Sequence, residues 1–169
     1  LEREGVGAFA VACLDEGRAL RRAGIGGRIL ILGYTPPEEA ARLHRWRLTQ
    51  TVADEAHGRA LAAQGVPLEV HLALDTGMHR LGLPAEDREA LARLYRLPNL
   101  SIRGVFSHLC VSDRLDEAAG GFTQKQLQRF YGAVRWLKEQ GYDPGETHIQ
   151  ASYGIWNLAP QPCAWARAG

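Results

Sequence analysis

"PLEVHLALDTGMHRLG", Pro67 to Gly82, changes character at its middle. Leu68, Val70, Leu72 and Leu74 alternate with Glu69, His71 and Ala73, which is the period of a β-strand. From Asp75 the alternation gives way to a loop carrying a carboxylate, a glycine, a histidine and an arginine. A strand that ends in a cluster of polar side chains sets the question of the fold, and the rest of the chain repeats the pattern.

Upstream, "AFAVACL" (Ala8 to Leu14) reads as a strand, and "DEGRALRRAG" as a helix closed by Gly24. "RILILG" is the next strand. It leads into "TPPEEAARLHRW", where Thr35 is expected to cap a helix, prolines occupy the first turn and Glu38 completes a capping box. "RLTQTV" and "ADEAHGRALAAQG" form a further strand and helix, ending at Gly65. Downstream, Pro84 opens the helix "PAEDREALARLYR" and "LSIRGVFSHL" is a strand. "FTQKQLQRFYGAVRWLKEQG" places Leu127, Phe130, Tyr131, Val134 and Leu137 on one helical stripe, stopped by Gly141. "THIQAS" is another strand, and "AWARAG" begins one more.

Strand and helix alternating this often imply parallel strands joined by right-handed crossovers. A doubly wound open sheet and a (β/α)8 barrel both fit. No G-x-G-x-x-G follows the first strand, which removes the best sign of a dinucleotide fold. Polar residues gather just past several different strands: Asp75, Arg80, His108 and Ser152. A barrel brings all its strand ends to one mouth, so the α/β chain is expected to be a partial (β/α)8, TIM-like barrel.

The length of 169 residues and 46% hydrophobic content suit one core, and one domain spanning 1–169 is expected. A net charge of +1 gives no reason to expect a nucleic-acid partner. "HRWR" at His44 to Arg47 reads as a solvated helix end, where cations suit the negative pole of the dipole. Cys13, Cys110 and Cys163 are far apart and odd in number, which argues against a disulfide framework or zinc site and for a cytoplasmic setting. No apolar run reaches membrane-spanning length. The chain opens at Leu1 and its one methionine is Met78, so a longer parent polypeptide is expected.

At these residues the chain resembles the alanine racemases, pyridoxal 5'-phosphate (PLP) enzymes, and among them the serine/alanine racemases of the vancomycin-resistance type. The matching stretches are "AFAVACLDEGRALRRAGI", "ILILGYTPPE", "VHLALDTGMHRLG", "IRGVFSHLCVSD", "THIQASYGIWN" and "ARAG". They run in order across nearly the whole chain, and the pair "DTGMHRLG" and "THIQASYG" is the most specific. The resemblance implies that Arg80 hydrogen-bonds the phenolic oxygen of PLP and that His108 packs near the pyridine ring. It implies that Ser152 and the Gly169 backbone bind the phosphate and that Arg167 faces the pyridine nitrogen. An arginine stays protonated, so it would donate to that nitrogen and leave it unprotonated. The cofactor is then a weaker electron sink, which favours reprotonation at Cα over side reactions. Capping of "YGIWN" by Ser152 stays open beside phosphate binding. His71 and His148 are read as structural, and Asp113 as ordering the loop after His108.

The departures from the family are as informative. The Schiff-base lysine that such a racemase needs sits on the family's first strand, whereas Lys125 and Lys138 both fall on the long helix. The second base, a tyrosine, belongs to a C-terminal β-domain of the partner subunit. Ala73 stands where many members carry a carbamylated lysine beside the equivalent of Arg80, and Ala151 replaces a common asparagine. The first barrel strand and the C-terminal β-domain are thus expected to lie outside these residues, with no catalytic residue among them. The resemblance implies a portion of a racemase of alanine or serine, homodimeric when complete, inactive as an isolated chain, cytoplasmic or the cytoplasmic domain of a membrane-anchored protein. The alternatives are a single-domain PLP-binding barrel without racemase activity and a silent barrel remnant.

Overall fold

The protein is described by a computed structural model that covers residues 1–114 and 116–169. Its strands are β1 (Ala8–Val11), β2 (Arg28–Ile31), β3 (Thr49–Val52), β4 (Leu68–Asp75), β5 (Leu83–Pro84), β6 (Leu100–Phe106), β7 (Glu146–Ala151) and β8 (Trp165–Arg167). The helices are α1 (Leu14–Arg22), α2 (Ala40–Arg45), α3 (Glu55–Ala62), α4 (Arg88–Tyr95), α5 (Glu117–Glu139) and α6 (Ser152–Asn157). Seven strands pair in parallel in the order β1-β2-β3-β4-β6-β7-β8, and the two-residue β5 pairs with the end of β4. A doubly wound sheet reverses its strand order at a switch point. This order never reverses, so the sheet is a near-closed barrel. Among the described residues no ladder joins β1 to β8. Instead Ala8, Phe9 and Ala10 share a cleft of about 450 Å³ with Trp165, Ala166 and Arg167, so the barrel is open along one seam.

The core lies between the barrel wall and the helical ring. Ile29, Ile31, Val52, Leu74 and Ile149 from strands, with Leu43, Leu61, Leu91, Phe130 and Leu137 from helices, are all almost wholly buried. The expected stripe of α5 is the one that packs: Leu127, Phe130, Val134 and Leu137 are buried and Tyr131 is half-buried. Gly24, Gly65 and Gly141 sit just past helix ends at φ of 88°, 70° and 78°, the left-handed conformation that lets the chain turn back toward the sheet. "HRWR" ends α2, with Trp46 packed on the core beneath Arg22.

Two local expectations are corrected. Thr35 does not cap α2: its hydroxyl is buried without a partner, and Pro37–Glu39 form a 3-10 turn before the helix begins at Ala40. With Thr35 as cap, Pro37 would be the second helical residue and has no N–H, which leaves the Glu38 N–H as the one donor for the cap. Pro37 also holds Pro36 extended, at ψ 137°. Pro84 does not open α4 but lies in β5 beside Asp75, and Asp87 caps the helix by accepting the Ala90 N–H at 2.9 Å. Gly82, whose N–H donates to the Ala53 carbonyl at 2.7 Å, draws this segment along β4 before the helix can start.

Asp54 caps α3 from the His57 N–H at 2.7 Å. Asp54→Ala is expected to lower stability by about 1 kcal/mol, read as a shift in urea midpoint with unchanged slope. No helix among the described residues is long and apolar enough to cross a membrane.

Candidate active site

The loop from Asp75 to Gly82 is organised by its first residue. The Asp75 carboxylate accepts the backbone N–H groups of Gly77 (2.9 Å) and His79 (3.0 Å) and the His79 ring at 2.7 Å. Burial alone would raise its pKa, but these hydrogen bonds outweigh burial and hold it below the usual value. Gly77 at φ 132° makes the turn, and a Cβ on Gly82 would come within 2.7 Å of the Asp75 nitrogen. The carboxylate thus serves the loop, which projects the exposed Arg80 into the barrel mouth.

A buried polar chain ties this loop to the end of β6. Ser107 donates its hydroxyl to the Leu74 carbonyl (2.7 Å), so it accepts from the Thr76 hydroxyl at 2.8 Å. Gln126 of α5 donates to Thr76 (3.1 Å) and to the His108 carbonyl (3.0 Å). One side chain on α5 therefore bonds the Thr76 hydroxyl after β4 and the His108 carbonyl after β6.

At the centre stands Arg167, at the end of β8. It donates to His148 Nδ1 at 2.5 Å and to the Ser107 carbonyl at 3.0 Å, and it lies 3.4 Å from His108 Nδ1. Its guanidinium sits over the Phe106 ring, 5.4 Å from the centroid. Burial pushes its pKa down to about 10, so the group stays charged at neutral pH. His108 is held below its ordinary value by burial, then by Arg167 and Arg80. Burial, followed by the charge of Arg167, drives His148 down to about 2; burial, followed by Arg28, brings His71 to about 4. Both imidazoles are neutral.

Arg80, His108, Arg167 and Gly169 line one cavity of about 320 Å³, together with Ala73 and Ala151. Ser152 stands just behind this wall. Its hydroxyl donates to the Gly169 carbonyl (2.8 Å) and accepts the Gly169 N–H (3.1 Å). It is the first residue of α6 rather than its cap, and the position before it, Ala151, offers no side-chain cap. All five residues expected at the site are thus at the mouth of the barrel. His148 was expected to be structural, yet it receives Arg167 directly. The readable signal was parity: in β7, His148 falls on the same face as Gln150, opposite Thr147 and Ile149. Gln126 and Ser107 left no such signal.

The chain matches the family model "Alanine racemase, N-terminal domain" over residues 1–169. It belongs to the alanine racemase N-terminal domain family. It is 42% identical to a serine/alanine racemase of Enterococcus gallinarum over all of its own length and 24% of that protein. It is 38% identical to an alanine racemase of Geobacter sp. (strain M21), covering all of this chain and 46% of that one. The structure matches that of an alanine racemase of Clostridium difficile 630 with a TM-score of 0.90 at 28% identity, over all of this chain and 45% of the other. The chain therefore spans a quarter to a half of the length of these proteins.

Proposed function

We propose that residues 1–169 are one incomplete barrel domain of a PLP-dependent racemase acting on alanine or serine, and that they supply the cofactor cradle. The observation that carries this reading is Arg167, a half-buried arginine at a strand end whose guanidinium neighbours are neutral imidazoles and a carbonyl. The residues present fit PLP. The cavity of about 320 Å³ is of the size that takes small organic cofactors. Arg167 would donate to the pyridine nitrogen, His108 would face the ring and Arg80 the phenolic oxygen. Ser152 and the Gly169 backbone, already bonded to each other, would turn to the phosphate. Bound there, PLP supplies the electron sink that makes the Cα–H bond of an amino acid acidic.

The two bases are assigned outside these residues. Lys125 and Lys138 are exposed on α5, away from the cavity wall. The seam between β1 and β8 is the place for a further parallel strand, which would bring a lysine to the mouth. The second base would come from a partner subunit in a homodimer, with a small amino acid as substrate and no nucleic acid involved.

Full-length polypeptide and the 169-residue chain should be compared for PLP absorbance and for conversion of L- to D-alanine and L- to D-serine. The full-length protein is expected to bind PLP and racemise, and the isolated chain to show no racemisation. Full-length protein that takes up no PLP would overturn the cofactor assignment. Substantial racemisation by the 169 residues would overturn the placing of the bases.

A further inference from the structure

His71 lies in the middle of β4, below the mouth, and lines a separate floor cavity of about 400 Å³ with Arg28, Glu69, Arg103, Glu146 and Trp165. It touches none of the cofactor groups. A guanidinium can only donate, so the contact from Arg167 requires a lone pair on His148 Nδ1. Neutral His148 then carries its single proton on Nε2. That atom is 2.9 Å from His71 Nδ1, which must accept, leaving the His71 proton on Nε2. One assignment satisfies every contact: Arg167 donates to His148, and His148 donates to His71.

The rings are held for this purpose. His148 is stacked between Phe106 (4.7 Å, 5°) and Trp165 (5.3 Å, 23°), and Trp165 also lies 5.3 Å from His71. Gly104 makes the space, since a Cβ there would come within 2.4 Å of His71 Cε1 and 2.5 Å of its Nδ1. The ladder between β4 and β6 shifts register so that His71 faces Gly104 rather than Arg103.

We propose that His71 is a positioning residue of the racemase site: by accepting the Nε2 proton it commits His148 to the tautomer whose Nδ1 receives Arg167. This rests on the reading of Arg167 as the group that faces the pyridine nitrogen. Without an acceptor at His71, the His148 Nε2–H is buried and unpaired. The other tautomer would point an N–H at a cation. Either way the hold on the guanidinium weakens.

The test uses full-length protein labelled with 15N-histidine, together with the variants His71→Asn, His71→Leu and Gly104→Ala. In the parent protein, NMR is expected to show His148 protonated at Nε2 and bare at Nδ1, with a scalar N–N coupling across the bond to His71 Nδ1. His71→Asn offers an amide oxygen in place of Nδ1, and it should keep the His148 tautomer and kcat within about threefold. His71→Leu and Gly104→Ala should lose the tautomer preference, shift the absorbance of bound PLP and lower kcat about tenfold or more with KM little changed. A parent His148 protonated at Nδ1, or no coupling to His71, overturns the proposal even if a variant fails to fold. So does His71→Leu with parental tautomer and kcat. A parent protein that shows the coupling but binds no PLP would overturn the racemase reading and leave the tautomer lock standing.

Discussion

Arg167→Leu in the full-length protein is expected to lower racemisation about 10- to 100-fold while changing the free energy of unfolding by no more than about 2 kcal/mol. The two effects separate for a physical reason. The variant loses donors to His148 Nδ1, the Ser107 carbonyl and His108 Nδ1, and a charge-assisted bond contributes about 1.5–3 kcal/mol. Against that, burial already disfavours the cation enough to bring its pKa to about 10, and leucine removes that desolvation cost. Stability therefore changes little. On the proposed reading, no such offset exists for the pyridine nitrogen that Arg167 would face, and the change there should appear in kcat. Urea unfolding and racemisation of the same preparations test both halves. Parental activity in Arg167→Leu would remove Arg167 from the site.

The second large effect is a loss of stability in mild acid. The His71 pKa falls from 6.5 in the unfolded chain to about 4 in the fold, and that of His148 falls further. A group depressed by folding contributes its stability above the unfolded pKa, because below it the unfolded chain binds a proton that the folded chain refuses. Stability should therefore begin to fall as pH drops through about 6.5 and go on falling to about 4. Each such histidine contributes about 1.4 kcal/mol per pH unit at full slope, so His71 by itself accounts for roughly 3 kcal/mol across the window. His57 and His108, also depressed mainly by burial, act in the same direction. The carboxylate of Glu55, held at about 2 by hydrogen bonds from Arg93 and Arg59, acts only below its ordinary 4.5, so the two windows are distinct. Urea midpoints measured from pH 7.5 down to 4.5 should decline, and His71→Asn should flatten the slope. Constant midpoints over that range would mean that these imidazoles are not buried neutral.

Much of the architecture was legible in the chain because it rests on local periodicity. The alternation in "PLEVHLALD" is β4, the stripe through Leu127, Phe130, Val134 and Leu137 is the packed face of α5, and "AWARAG" does begin a strand, Trp165–Arg167. Where two local rules competed, the reading failed. Thr35 and Glu38 satisfy a capping box by spacing, but Pro37 holds Pro36 extended at ψ 137°, so the helix cannot continue from Thr35 and starts at Ala40. Pro84 has the chemistry of a first helical residue, yet its pairing beside Asp75 comes from β4, a strand already in place.

The site divides along the same line. Arg80, His108, Ser152, Arg167 and Gly169 were nameable because each ends or follows a strand in a motif that resembles a known family. Their convergence needs the unreversed strand order that brings β4, β6, β7 and β8 side by side. Gln126, which ties the loops after β4 and β6, lies 50 residues from Thr76 and 18 from the His108 carbonyl, with no motif to mark it. The amino-acid sequence by itself determined the alternation of strands and helices, the polar strand ends and the family resemblance, because these depend on residues a few positions apart. Only the tertiary structure decided that Arg167, His148 and His71 form one chain of contacts, since hydrogen bonds across 19 and 77 residues exist only when separate strands of one barrel share an interior, and a neutral imidazole owes its tautomer to what faces it there.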